Sequence, residues 1–355
     1  MMEIVDCHGP PSKRGIAHGE TLRSDISDAL ARWEQATMAA LKERAPHSFV
    51  DYCETFLNET DLIDRARNDT PNLYQELAGI AEGSDQPFAL IAAYNLMDEQ
   101  WWYDTRGTAP PPGCSLIALH DVKGFALMQN MDLPEHMDGA QVVLRLSGPD
   151  IPQTLVLSAA GLIGLTGANI AGVAVGVNTL LMLRHSIAGL PVAFALRNAL
   201  AAENRAEAVD RLVTAQHASG QHYAIVSRSG ISAVECSAAV NDILPVDQAS
   251  VYLHTNHPFI NQDFDDLAVA RLENAGFNRS SHRRFDWLTK HQGQLSNLED
   301  AKARFDDANA PICMRAHTHG GSATFATVLY EMTDTLRIKM RMARAGDYPW
   351  QVVDF

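Results

Sequence analysis

Apolar residues recur at helical spacing through much of the first hundred residues. Leu73, Leu77 and Ile80 fall on one face of a helix, and Gly83 occupies a position where glycine often ends one. A second apolar stretch of the same kind follows Pro87. The pattern predicts a mainly helical N-terminal part.

The pattern changes abruptly at a proline-rich segment between residues 108 and 113. Its sequence is Thr-Ala-Pro-Pro-Pro-Gly, and three consecutive prolines can lie neither inside a helix nor in a central strand. We therefore predict a loop here that separates the helical part from the remainder of the chain.

Short β-branched or alternating runs dominate the chain after Cys114, with turn-forming residues between some of them. The predicted strands span 125–128, 141–146, 154–157, 172–177, 223–227, 231–236, 251–254, 324–332 and 336–341. The predicted helices span 191–202, 206–215, 264–276 and 298–307. Two groups of strands around paired helices, without regular β-α-β alternation, predict an α+β sandwich.

One uncharged stretch, residues 151–183, is long enough to cross a bilayer. It contains five glycines, a proline and the polar residues Asn169 and Asn178, and its apolar residues come in short β-type runs. Polar groups are strongly disfavoured in lipid, so we interpret the stretch as buried strands rather than a membrane helix.

Charge and cysteine content narrow the possible partners. The 28 basic and 43 acidic residues give a net charge of −15, which repels phosphate backbones and anionic lipid surfaces. We therefore expect neither nucleic acid nor membrane as a partner. The five cysteines form no C-x-x-C pair, and the first residues lack the features of a signal peptide, which favours a cytoplasmic protein with reduced thiols.

The segment Pro112-Gly113-Cys114-Ser115 carries the candidate chemistry. A cysteine alone is more often a small buried apolar residue. A thiol at the start of a strand, after a glycine that accepts strained geometry, suits attack on its own preceding peptide bond. Cleavage between Gly113 and Cys114 would expose an α-amine with an ordinary pKa of about 7.7–8.0, which can act as a general base. Cys114 would then provide nucleophile and base together.

Six short segments occur in an order and spacing typical of one family. They are 14–19 (RGIAHG), 79–83 (GIAEG), 113–115 (GCS), 129–132 (QNMD), 167–178 (GANIAGVAVGVN) and 254–257 (HTNH). With them the chain resembles the penicillin acyltransferase (acyl-coenzyme A:6-aminopenicillanic acid acyltransferase) family of self-processing N-terminal-nucleophile (Ntn) hydrolases.

The resemblance implies a four-layer αββα fold of the Ntn-hydrolase type, formed as a single domain by residues 1–355. It implies that this inactive precursor matures into chains 1–113 and 114–355, which remain associated. Cys114 would be the nucleophile. Asp132 would place the Cys114 amine and assist cleavage, and Asn256 would donate to the oxyanion.

Each assigned polar residue also has a structural interpretation. Asp132 could instead form a turn before Leu133-Pro134, and Asn256 could cap the loop before Pro258. Asn169, a candidate for substrate binding, could simply satisfy backbone groups at a strand end.

The cluster of residues 98–104, DEQWWYD, is a candidate substrate contact. Trp101, Trp102 and Asp104 could bind a cationic group through carboxylate and cation–π contacts, although such rings more often anchor a helix end against the core. The late strand lacks the Ser-Arg pair that well-known members carry before Ala323-Thr324, which argues against a β-lactam substrate.

The sequence thus predicts an amidase or acyltransferase that works through a Cys114 acyl-enzyme without cofactor or metal. Its substrate would be a small amide, and the cluster of residues 98–104 favours a cationic one. One alternative is a non-catalytic ligand-binding protein on the same fold. The other is a metal-dependent amidohydrolase that uses the pairs His254 with His257 and His317 with His319. Hydrolysis or acyl transfer, use of an acyl-coenzyme A donor, and assembly into a homo-oligomer remain open at this level.

Overall fold

The fold is known from a computed structural model that describes residues 1–41, 46, 48–103, 113–246, 250–315 and 321–355. Three residues of the predicted sites, Asp104, His317 and His319, lie outside the described residues. Within the described ranges the chain forms two β-sheets and twelve α-helices.

The N-terminal part is mainly helical, as its pattern predicts, but it begins with a strand that the pattern did not reveal. The elements are β1 (Glu3–His8), α1 (Pro11–Thr21), α2 (Arg23–Leu41), α3 (Phe49–Asn58), α4 (Leu62–Asp69), α5 (Pro71–Ser84), α6 (Phe88–Tyr94) and α7 (Met97–Tyr103).

Small residues let α1 and α5 cross at very close range. A Cβ at Gly15 would overlap the backbone of Glu76, and one at Gly83 would overlap the backbone of Ile16. The C-terminal cap of α5 is Asp85, which has the left-handed conformation with φ 57°. The prediction that Gly83 caps this helix is thus wrong by two residues. The glycines of the first two family segments thus serve helix packing.

The remaining strands complete two sheets. They are β2 (Ser115–Asp121), β3 (Gly124–Pro134), β4 (Gln141–Gly148), β5 (Ile151–Ala159), β6 (Thr166–Asn169), β7 (Val173–Thr179), β8 (Gln221–Ser227), β9 (Gly230–Cys236), β10 (Asn241–Leu244), β11 (Val251–His254), β12 (Ser322–Met332), β13 (Leu336–Met342) and β14 (Gln351–Val353). One sheet has the order β1-β4-β5-β6-β7-β8-β9-β10, and the other has the order β11-β2-β3-β12-β13-β14.

Five further helices follow the first strands of these sheets. They are α8 (Val192–Leu200), α9 (Arg205–Thr214), α10 (Asp266–Ala275), α11 (Phe277–His291) and α12 (Leu298–Phe305). Four were predicted with boundaries within about two residues, and α11 was missed.

The two sheets pack face to face between layers of helices. Strands β2 and β3 of the smaller sheet contact β7 and β8 of the larger one, and the main apolar core fills the space between them. Helices α1, α8 and α9 cover the outer face of the larger sheet, while α11 and α12 cover that of the smaller one through a second apolar cluster. This confirms the predicted α+β sandwich with four αββα layers.

The uncharged stretch forms strands, as predicted. Residues 151–183 contain β5, β6 and β7, and the glycine-rich segment forms the antiparallel pair β6–β7, with Gly167 opposite Val175. Over the described residues, no helix combines the length and the apolar character that crossing a membrane requires.

Candidate active site

The register of the smaller sheet brings the predicted catalytic residues together. Cys114 directly precedes β2, whose first residue, Ser115, lies opposite Asn130 of β3. Two residues along β3 comes Asp132, while Asn256 lies two residues beyond the end of β11, the other neighbour of β2. Three segments distant in sequence therefore converge at one end of β2.

Asn256 holds the main chain of Cys114. The backbone N–H of Cys114 donates to Asn256 Oδ1 at 2.7 Å, and Asn256 Nδ2 donates to the carbonyl of Thr179 at 3.0 Å. The backbone N–H of Asn256 donates to Ser281 Oγ at 2.8 Å. Because oxygen and nitrogen of the amide each have a fitting partner, these contacts fix the orientation of the side chain.

Asp132 is a buried carboxyl with one unoccupied oxygen. Thr324 Oγ1 donates to Asp132 Oδ1 at 2.7 Å, whereas Oδ2 has no hydrogen-bond partner among the described residues. Burial raises the pKa of Asp132 to about 7, against the opposing charge of Arg284. Asp132 can therefore exchange a proton near neutral pH.

The thiol of Cys114 is enclosed and protonated in the uncut chain. Burial, together with the charge of Asp132, raises its pKa to about 12, while a hydrogen bond from the backbone N–H of Asp132 opposes this rise. A nucleophile in this state needs a base that removes its proton during attack.

Arg284, in the middle of α11, is a residue of the candidate site that the sequence pattern did not reveal. Its Nη1 donates to the carbonyl of Cys114 at 2.6 Å and to Ser115 Oγ at 3.1 Å, and its Nη2 donates to Asn256 Oδ1 at 2.9 Å. Burial lowers the pKa of Arg284 below its ordinary value, and the charges of Asp132 and Cys114 oppose this lowering without cancelling it. The buried guanidinium thus braces both the main chain of Cys114 and the side chain of Asn256.

Gly113 leaves no room for a side chain. A Cβ at this position would overlap the guanidinium of Arg284 and Oδ1 of Asn256. The residue before Cys114 is therefore glycine because the polar groups of the site press directly against its Cα.

Cys114 and Asp132 line a cavity of about 320 Å³, which lies at the small end of ligand pockets. Its wall is mainly apolar and comes from α2, the segment around α7, β3, β7 and α8, with Trp33 contributed by α2 and Leu196 by α8. The cavity suits a small, largely apolar ligand beside the thiol.

The two predicted tryptophans have different positions. Trp101 lines the cavity, whereas Trp102 is absent from its wall and stacks on His185 with ring centroids 5.0 Å apart. The substrate role of Asp104 falls outside the described residues.

Asn169 lies away from the cavity wall. Its Nδ2 donates to the carbonyls of Leu200 and Ala202 at 2.8 and 2.7 Å, and its Oδ1 accepts from the N–H of Val173 at 3.1 Å. The side chain thus ties β6 to the end of α8, as the structural interpretation predicts, and the contacts give no support to a role in substrate binding.

His254 and His257 each have their own partners. The Nδ1 atom of His254 contacts the carbonyl of Thr255 at 2.7 Å, and its Nε2 lies 3.4 Å from Glu235 Oε1. His257 Nδ1 lies 2.9 Å from Ser281 Oγ. Across the ranges that the structure describes, no three His, Cys, Asp or Glu side chains are grouped as metal ligands.

Known proteins are similar to this chain. The chain is 26% identical over 325 residues to the 40 kDa form of the acyl-coenzyme A:6-aminopenicillanic-acid-acyltransferase of Emericella nidulans, covering 90% of this chain and 86% of that protein. The penicillin V acylase of Agrobacterium tumefaciens superposes with a TM-score of 0.42 at 16% identity, covering 68% of this chain and 86% of that one.

A mutant conjugated bile acid hydrolase of Clostridium perfringens superposes with a TM-score of 0.39 at 13% identity, covering 68% of this chain and 97% of that one.

The sequence profile of the acyl-coenzyme A:6-aminopenicillanic acid acyl-transferases matches residues 123–346, which include Asp132 and Asn256 and make up more than half of the chain. The chain therefore belongs to the acyl-coenzyme A:6-aminopenicillanic acid acyl-transferase family.

Proposed function

We propose that this chain is a self-processing amide hydrolase or acyltransferase whose nucleophile is Cys114, released as a new N-terminus by cleavage after Gly113. One observation carries the proposal. The main chain and the thiol of Cys114 are held by Asn256, Arg284 and Asp132 at the wall of an enclosed, mainly apolar cavity.

Self-cleavage starts with transfer of the thiol proton to Asp132, whose Oδ2 is unoccupied and whose pKa of about 7 suits a base. Sγ attacks the carbonyl carbon of Gly113, the bond from that carbon to the Cys114 nitrogen breaks, and the nitrogen leaves with a proton as an amine. Water then hydrolyses the thioester. The products are the chain of residues 1–113 and the chain of residues 114–355, the second of which has 242 residues.

Turnover uses the freed amine. The α-amine of Cys114 takes the proton from Sγ, which attacks the substrate amide and forms a C–S bond. The C–N bond breaks, the leaving amine takes the proton, and water or a second amine releases the acyl group. Asn256 Oδ1, which accepts from the Cys114 N–H before cleavage, holds the amine afterwards, while the Nδ2 hydrogen that Thr179 does not use donates to the oxyanion.

Ion pairs between buried and half-buried side chains join the two sides of the proposed cleavage point and would hold the two products together. Arg14 pairs with Asp150 at 2.6 Å, and Glu76 pairs with Arg197 at 2.8 Å. Strand β1 also pairs with β4 along its whole length. Separation would expose these groups and the shared apolar core, so we expect the chains to co-purify.

Replacing Gly113 with alanine should slow self-cleavage by at least about tenfold. The added Cβ would displace Arg284 or Asn256, and misplacement of a group by about 1 Å can cost ~10² in rate. The fraction of cut chain, measured by electrophoresis at intervals after synthesis, checks this. Gly293→Ala, where a Cβ meets nothing within 4 Å and the backbone is not left-handed, is the matched control. Equal cleavage rates in both variants would contradict the proposed position of the scissile bond.

The raised pKa of Asp132 also predicts a pH-dependent stability. The folded chain binds this proton up to about pH 7, while the unfolded chain releases it near the ordinary value of 3.8. The stabilising contribution of the bound proton is therefore lost as pH rises from about 4 to 7.

In the uncut Cys114→Ala chain, Asp132→Asn should remove this loss. As the pH rises from 4 to 8, the free energy of unfolding of the chain with Asp132 should fall, relative to that of the asparagine variant, by on the order of 1–4 kcal/mol. Urea unfolding at each pH measures it, and shared groups such as Glu99 cancel in the comparison. A stability difference that does not change with pH would show that Asp132 is ionised throughout.

The experiment that tests the proposed function is capture of the acyl-enzyme. Mature protein is quenched with acid while it turns over a reactive amide, and the chain masses are then measured. We expect one acyl group on the 242-residue chain, mapped to Cys114. Product formation with the acyl group on another residue would overturn the proposal, and binding without any adduct or product would favour the ligand-binding alternative.

A further inference from the structure

The charged groups of the cavity wall share one sign. Among the described residues, Asp98 and Asp132 line the cavity, but no lysine or arginine does. His136 also lines it, and burial together with the charge of Arg32 lowers its pKa to about 4, so its ring is neutral at pH 7. A carboxylate on a ligand would therefore find no basic side chain to pair with among the described residues of this wall.

Asp98 presents one free carboxylate oxygen. Thr179 Oγ1 and Gln221 Nε2 both donate to its Oδ2, at 2.9 and 3.2 Å, whereas Oδ1 has no partner in the described ranges. Protein atoms surround the side chain, and it remains half-buried rather than fully buried because part of it faces the cavity. Desolvation raises the pKa of Asp98 above its ordinary value, and a cationic donor at the open oxygen would stabilise the ionised form.

The position of Asp98 couples it to the nucleophile. Thr179 donates to Asp98 through its hydroxyl and accepts from Asn256 through its carbonyl, so that a single residue separates Asp98 from the residue that holds Cys114. Aromatic side chains also line the cavity, among them Trp33, Tyr94 and Trp101, and aromatic rings attract cations through their faces.

We propose that the site selects amides that combine an apolar body with a protonated amine, which pairs with Asp98 a few bonds from the scissile carbonyl. Amides that carry a carboxylate are rejected. The 6-aminopenicillanic acid in the family's description is such a carboxylate. The neighbouring Glu99 has no part in this selection, because it does not line the cavity: its Oε1 accepts from the N–H of Val192 and from Ser219 Oγ, and its Oε2 is buried without a partner among the described residues.

The kinetic test uses p-nitroanilides with acyl chains of three to six carbons that end in an ammonium, a methyl or a carboxylate group. At the best length, wild type should show a kcat/KM at least about tenfold higher for the ammonium substrate than for the methyl one. Asp98→Asn keeps an acceptor for Thr179 and Gln221 and should reduce this ratio to near one. Glu99→Gln, the matched control, should keep the wild-type ratio.

Two results would overturn this selection. Wild type could favour the methyl or carboxylate substrate at every length, or Asp98→Asn could lower all three classes by one factor, which would indicate a structural role.

A binding measurement separates this inference from the proposed function on which it rests. In the uncut Cys114→Ala chain, calorimetry compares alkylammonium ions with alcohols and carboxylates of equal length. We expect the ammonium ions to bind most tightly and Asp98→Asn to remove the difference. A preference for ammonium ions without any turnover of amides would contradict the proposed function but not this inference. Turnover of amides without a charge preference would contradict this inference but not the proposed function.

Discussion

Cys114→Ala should remain a single chain of 355 residues and lose turnover by at least about 10⁴-fold, because the change removes both the nucleophile and the route to the amine base. Alanine leaves the backbone contacts from Cys114 to Asn256 and Arg284 in place. The variant should therefore fold, and a thermal melt shows whether it does. Electrophoresis and an amide assay measure the two losses.

Two further variants sharpen this result. Cys114→Ser should cleave slowly, since a hydroxyl is a poorer nucleophile than a thiol near neutral pH. Cys7→Ala is the matched control, because Cys7 is equally buried in β1 and does not line the cavity. Normal cleavage of the alanine variant at position 114 would contradict the account, as would loss of cleavage in the control.

Asn256→Ala should lower turnover by about 10²–10³, because one preorganised donor to the oxyanion is lost. The rate is expressed per cut chain, which separates catalysis from maturation. The fraction of cut chain should fall as well, because the backbone N–H of Cys114 and Nη2 of Arg284 both lose their acceptor. An amide assay and intact masses measure the two effects.

Asn256→Asp distinguishes the two roles of this side chain. It keeps an acceptor for Cys114 and Arg284 but has no amide donor. We therefore expect Asn256→Asp to be cleaved, and its turnover per cut chain to be as low as that of Asn256→Ala. Turnover at the wild-type rate in either variant would show that Asn256 is structural and that the oxyanion donor lies elsewhere.

Strong local patterns made the framework of the fold predictable. Val251–His254 alternates and lies between turn formers, and its predicted limits agree with β11. By contrast, β1 joins its sheet as a parallel edge strand in which only Val5 and Cys7 are fully buried. Two buried residues give too weak an alternation to distinguish a strand from the polar start of a chain.

Arg284 could not be predicted because the sequence of α11 has no continuous hydrophobic stripe at helical spacing. The buried positions of α11 are Phe277, Ser281, Arg284 and Leu288, which have helical spacing. Two of these four are polar, since Ser281 and Arg284 face Asn256 rather than an apolar core. A helix whose inner face serves a polar site shows no hydrophobic stripe, so pattern analysis assigns it to the surface.

The sequence proposed the cluster of residues 98–104 as a contact for a cation, but it could not single out Asp98 within that cluster. The sequence places Asp98 and Glu99 side by side, and only tertiary contacts show that one faces the cavity while the other accepts from Val192 and Ser219. Adjacent residues on a helix point about 100° apart, but the helix alone does not reveal which direction meets the ligand.

The identity of the N-terminal residues in active protein tests the central claim most directly. N-terminal sequencing of the purified, active material, with its specific activity measured in parallel, should give two chains, one beginning at Met1 and the other at Cys114. Activity should rise in proportion to the Cys114 terminus as maturation proceeds. Full activity in protein whose Cys114 is still amide-linked to Gly113 would contradict the account.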